Sequence, residues 1–162
     1  MTRRDINIVR DLAKKVAEIA ALPVQEEKRD LWRRLNGLRP ARPMVMIDQV
    51  CWHEMNVDGE LDLLCAGKVA RDHELQLRRT LCQWRHFPVD SVVEPFVRVP
   101  KAIRNSGFGI RVKEERAVGD PAGDVVGHRY INQFRTEADL ARIRLPRISH
   151  DAAATARRLE QA

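Results

Sequence analysis

The stretch Pro88-Val-Asp-Ser-Val-Val-Glu-Pro-Phe-Val-Arg-Val-Pro100 decides the reading of the fold, because nowhere else do β-branched and aromatic residues run together between two prolines. Val89, Val92, Val93, Val97 and Val99 with Phe96 make a segment too apolar for a solvated edge and too short for a buried helix. This predicts a buried, central, parallel strand over 91–99. Pro95 cannot donate a ladder hydrogen bond, so regular pairing is expected to stop there. Glu94 then stands where a buried strand meets its loop, the place where α/β proteins usually put chemistry. The alternative of equal weight is an acid paired with one of the many arginines.

Upstream, Met44-Val-Met-Ile-Asp48 is a second short apolar run with strand character. It ends in Asp48 and Gln49 and leads into the polar and aromatic patch Cys51-Trp-His-Glu54. By residue type this patch, with His53 and Glu54, is the best pocket candidate; read as an ordinary loop, it plugs Trp52 into the core. Asp58-Gly59 is a turn, and 61–66 reads equally as helix or strand. From Asp72 to Phe87 the spacing of Leu77, Leu81 and Trp84 predicts a helix that Pro88 stops. Strand, helix, strand is a βαβ unit, in which a crossover of this length joins two parallel strands.

The flanking segments follow the same logic. Val9, Leu12, Val16 and Ile19 predict a helix over 6–21 ended by Pro23. A second helix over 25–35 carries Leu31, Trp32 and Leu35 on its apolar side, with Asn36-Gly37 as a cap that tolerates left-handed geometry. Arg39-Pro-Ala-Arg-Pro43 is a stiff linker. Downstream, 105–109 is a turn, 110–118 a solvated strand, 119–124 a loop and 125–134 a second strand, together a hairpin. Thr136-Glu-Ala-Asp139 opens a short helix reaching about Ile143. Residues 145–148 are extended, and Ser149 or Asp151 caps a final alanine-rich helix still running at Ala162. The organisation expected is a helical layer over 1–38, then strands and helices over 39–162 that include the hairpin at 109–134.

The totals narrow the function classes. A chain of 162 residues with 44% apolar content supports one domain with a real core. No apolar run approaches the roughly 20 residues that span a bilayer, and the N-terminus lacks a signal peptide's apolar block, so a cytoplasmic protein with no membrane partner is expected. Cys51, Cys65 and Cys82 are an odd number without framework spacing and are expected to be reduced. Cys82 and His86 lie one turn apart but have no matching second pair, so no metal is expected. Gly107 and Gly109 have phosphate-loop spacing but no helix follows, and no cofactor is expected. The net charge of +6 and pI near 9.7 suggest nucleic acid. Residues 1–43, however, interleave eleven Lys or Arg with six Asp or Glu on the wet sides of two helices, which reads as a solvated face.

Several stretches resemble one family. Arg42-Pro-Met-Val-Met-Ile-Asp-Gln49 resembles the first barrel strand of the uroporphyrinogen decarboxylase superfamily, which also contains cobalamin-dependent methyltransferases of one-carbon metabolism. Asp72-His-Glu-Leu75 through Phe87 is similar to its first barrel helix, and 89–102 to its second strand and loop. Gly107-Phe-Gly109, the hairpin and Thr136-Glu-Ala-Asp-Leu140 are similar to the family's excursion and its return toward a third strand. Trp84-Arg-His-Phe87 resembles a stretch found in an uncharacterised decarboxylase-like subgroup.

The resemblance implies an α/β fold, the N-terminal part of a (β/α)8 TIM barrel with two leading helices and a β-hairpin excursion. The barrel is incomplete in this chain, since a whole one needs roughly 250 residues and eight strands. It implies a partial protein that is not catalytic alone, whose intact form is a decarboxylase-like lyase or a methyltransferase. Asp48, Gln49, His53, Glu54 and Glu94 are then the candidate pocket-lining residues, the acids carrying protons or orienting a substrate cation. The decarboxylase's Arg-Gln-Ala-Gly-Arg loop is reduced to one glutamine in Asp48-Gln49-Val-Cys-Trp52, and its Phe-Ser-Asp context is replaced by Glu94-Pro-Phe96, which argues against porphyrinogen as the substrate. The zinc ligands of the methyltransferase branch lie on later strands. Expected partners are the remainder of the barrel or a second copy, with a small-molecule substrate only in the intact protein. The rival reading is a small basic α/β module that binds an acidic partner or nucleic acid.

Overall fold

The computed structural model describes residues 1–119 and 126–161. Most of the loop expected at 119–124, the start of the strand expected at Val125, and Ala162 lie outside the described residues. The chain divides into two units, 1–50 with 55–98, and 51–54 with 99–162.

In the first unit, apolar residues spaced three and four apart build two helices that share a core. α1 (Arg3–Ala20) starts at a reciprocal capping box. The Thr2 hydroxyl accepts from the Asp5 amide at 3.1 Å, and the Asp5 carboxylate accepts from the Thr2 amide at 3.2 Å. Its Leu12, Val16 and Ala20 meet Leu77 of α4 (Lys68–His86) and Val93, with Val9, Ile19, Leu81 and Trp84 packed around them. This is the stripe the spacing predicts for both helices. α2 (Pro23–Asn36) begins on Pro23, which therefore starts this helix as well as closing the one before it. Its C-cap Gly37 has φ −84°, and the left-handed residue is Leu38 at φ 53°, one position later than expected.

The two apolar runs are not strands. Over 91–99 no ladder forms and only Val93 is buried, while Phe96 and Val97 are exposed; 44–48 is likewise irregular, with Val45 and Met46 exposed. The buried, central, parallel strand expected at 91–99 is therefore absent, as is the parallel βαβ pairing. The physical reason lies in α2, whose side chains take hydrogen bonds that a neighbouring strand would otherwise make. Gln25 Oε1 accepts from Val93 N at 2.9 Å, Trp32 Nε1 donates to Asp90 O at 2.8 Å, and Lys28 Nζ donates to Val89 O at 2.8 Å. One main-chain bond does join the two runs, from Asp90 N to Val45 O at 2.8 Å. Residues 61–66, open between helix and strand, are neither, and are held by buried Leu61 and Cys65.

The second unit contains two small antiparallel sheets. β1 (Ile103–Asn105) pairs with β4 (Ile148–His150), and β2 (Glu114–Val118) pairs with β3 (Val126–Tyr130) in the register Glu114 to Tyr130. The turn after β1 depends on Gly107 and Gly109 at φ 68° and 80°, with Gly107 N donating to Asn105 Oδ1 at 2.8 Å. A 3-10 helix, Glu137–Arg142, opens on the capping box of Thr136 and Asp139. α5 (Ala152–Gln161) is capped by Asp151, whose carboxylate accepts from Ala154 N at 2.9 Å. α3 (Trp52–Met55) is a single turn. The fold is thus mixed helix and strand. Among the described residues no helix is long and apolar enough to cross a membrane.

Candidate functional site

The first unit contains a pocket of about 250 Å³ at the C-terminal end of α4, where the chain leaves the helix at Pro88 and turns through 88–93. Its walls are largely apolar, with Ile47, Trp84, Phe87 and Val93, and its polar groups are Lys28, Gln83, Asp90 and Ser91. α4 places Gln83 and Trp84 on the face toward this turn, and α2 supplies Lys28 from the other side.

Asp90 is the hub. Its carboxylate accepts from Arg42 Nη1 at 2.9 Å and from Val45 N at 2.9 Å. The Arg42 guanidinium, then the Val45 amide, hold its carboxyl well below the usual carboxylate range despite burial. It is a fixed negative charge and not a proton donor. Lys28 is equally committed, since its ammonium donates to Val89 O and, at 3.3 Å, to Ser91 O, and lies 5.1 Å from the centre of the Trp84 ring. The pocket therefore has the shape and apolar lining of a binding site, but its charges are already committed within the protein, Asp90 to Arg42 and the Val45 amide and Lys28 to main-chain carbonyls.

The sequence-derived candidates are not gathered there. Asp48 and Gln49 are exposed in the first unit, whereas His53 and Glu54 belong to the second, with His53 Nε2 3.9 Å from Glu54 Oε1. Glu94 is half-buried and receives Arg29 Nη2 at 3.0 Å, the arginine pairing that stood as the alternative to a catalytic role. It lines a second hollow of the first unit, together with Val16, Leu77 and Phe96.

Two features escaped the sequence reading. Asp90 had a signal, an acid inside an apolar run two residues after Pro88, which the more conspicuous Glu94-Pro95 overshadowed. Glu60 had none: the turn carries it to Cys82 and His86, so that ligand atoms of all three lie within 4.8 Å of one another. Burial, then the Glu60 carboxylate, pushes the Cys82 thiol up to about 11; burial, then Glu74, does the same to Cys65. Neither thiol is a ready nucleophile at neutral pH.

Comparison of the chain with protein-family models, with curated proteins and with solved structures returns no match.

Proposed function

We propose that this chain is the N-terminal part of a uroporphyrinogen decarboxylase-like barrel and is not catalytic alone. The intact protein would act as a decarboxylase-like lyase or a one-carbon methyltransferase. The observation that carries the reading is the meeting of Val45 and Asp90. Two apolar runs of strand composition, separated by the long helix α4, come side by side there through one main-chain hydrogen bond and one carboxylate bond to the same residue. This is the arrangement from which the first two strands of a parallel barrel would extend.

The exposure of those runs supports the same reading. Met46 is 61% and Phe96 56% exposed, a poor solution for a finished core and a natural one for residues that adjacent strands would cover. In the intact barrel Asp48, Gln49 and Glu94 would sit at strand ends, with His53 and Glu54 in the loop after the first strand, facing a small-molecule substrate.

The test is light scattering of the purified chain combined with amide hydrogen exchange over 44–48 and 91–97. The expected result is self-association through these runs, with fast exchange there and slow exchange in α1 and α4. A monomer with slow exchange in both runs overturns the proposal and favours a self-contained module, which salt-dependent binding to nucleic acid would then define.

A further inference from the structure

A turn at 57–61 and the last two turns of α4 bring together three side chains of metal-ligand type, away from the pocket at 88–93. Cys82 and His86 stand four residues apart and so share one face of the helix. Glu60 is delivered by a turn whose Gly59 has φ 69°. Its Oε1 lies 2.6 Å from His86 Nε2, and the buried Cys82 Sγ lies beside the same carboxylate, with the ligand atoms of all three residues within 4.8 Å of one another. We propose that Glu60, Cys82 and His86 form a site for a divalent, zinc-type transition-metal ion, with water as the fourth ligand.

The atoms already converge, because the carboxylate holds His86 through a hydrogen bond and Cys82 stands one helical turn before it on the same face. A cation in their midst replaces that bond: the thiol gives up its proton to solvent, and His86 turns an unprotonated Nε2 toward the metal while Nδ1 carries the ring proton. The thiolate and carboxylate together carry two negative charges, which the ion's two positive charges neutralise. A mixed set of sulfur, nitrogen and oxygen suits zinc or cobalt rather than magnesium or calcium, which take oxygen.

The fit requires only small movements. The ligand atoms lie within 4.8 Å of one another; around a tetrahedral zinc, with bonds of about 2.0–2.3 Å, such atoms are about 3.3–3.6 Å apart. Access is from the His86 side, where that side chain is 42% exposed, whereas Cys82 is buried beneath it. Glu60 is held by two arginines. Arg85 Nη1 donates to Oε2 at 2.7 Å and Arg78 Nη1 to the Glu60 carbonyl at 2.8 Å, which fixes the carboxylate while leaving Oε1 directed at His86. A bound ion would staple the 57–61 turn to the end of α4.

The experiment is a titration of the full chain, purified with chelator, with Co²⁺ alone, read by absorption, followed by displacement with Zn²⁺. The expected result is one equivalent bound per chain, with intense tetrahedral ligand-field bands and a thiolate-to-cobalt charge-transfer band. Cys82→Ser should remove the charge-transfer band, and His86→Ala should weaken binding by more than about tenfold, while Cys51→Ser changes nothing. Circular dichroism establishes that each variant retains its helices. If Cys82→Ser does not fold, His86→Ala decides, because it alters a half-exposed position without opening the core. No charge-transfer band, a band that survives Cys82→Ser, or unchanged affinity in His86→Ala overturns the site.

Discussion

Two buried carboxylates do more for the first unit than any of the exposed candidates. Glu74 is fully buried on α4 and accepts from Leu64 N at 2.9 Å, from Cys65 N at 2.8 Å and from Arg78 Nε at 2.8 Å. Burial alone would raise its pKa, but these donors outweigh it and hold the group below its usual value. Replacing Glu74 by Ala leaves the buried Cys65 amide, the partly buried Leu64 amide and Arg78 Nε without their acceptor and should cost about 3 kcal/mol in urea unfolding. Asp48→Asn, at an exposed position, should change stability by less than about 0.5 kcal/mol. Asp90 makes the pH prediction. Its folded pKa lies below the ordinary 3.8, so the folded state binds fewer protons than the unfolded state as the pH falls through that range. Its contribution is therefore fully present above about pH 5 and is lost progressively below it. Asp90→Asn should flatten the loss of stability on acidification relative to the parent chain, and a profile of unchanged slope would show that Arg42 and the Val45 amide do not act through this charge.

At the scale of elements, the pairing of α1 with α4 is the main source of apolar burial. Leu77 is 4% exposed between Leu12, Val16 and Val93, and Leu77→Ala should destabilise by about 3 kcal/mol through lost transfer energy and the cavity left behind. Guanidinium unfolding followed by far-ultraviolet dichroism measures it, and a loss under about 1 kcal/mol would show that the helices repack freely. These helices were legible in the sequence because helical periodicity is a local signal: Val9, Leu12, Val16 and Ile19 define a face whatever it later packs against. The apolar runs at 44–48 and 91–99 were not, because strand formation depends on partners elsewhere in the chain. Here Gln25, Lys28 and Trp32 of α2 supply those hydrogen bonds instead. The same non-locality hid the site. Asp90 matters because Arg42 and Val45 reach it from 48 and 45 residues away, and no spacing rule covers such distances. Glu94 shows the converse, since its composition suggested chemistry and its geometry gives an ion pair with Arg29.

At the scale of the whole molecule, the two units differ in how they are held. Among the described residues, all the buried apolar ones but Ala102 belong to the first unit. The second relies on short ladders, turns and caps, and leaves Phe108, Val112, Tyr130, Ile131, Phe134 and Ile143 at least partly exposed around a hollow of about 580 Å³. Buried apolar area is the dominant favourable term in folding, whereas a two-stranded ribbon is marginal by itself. A chain ending at Arg98 should therefore keep the cooperative unfolding of α1 and α4, since every member of their core cluster lies at or before Val93. In the full chain, amides of β2 and β3 should exchange faster than those of α1 and α4 by more than about a hundredfold, a difference of about 3 kcal/mol in opening free energy. Hydrogen exchange read by mass spectrometry decides the matter. Equal protection across both units would mean that the second is stabilised by a source other than its own packing, and an unfolded 1–98 chain would mean that the helical core depends on it.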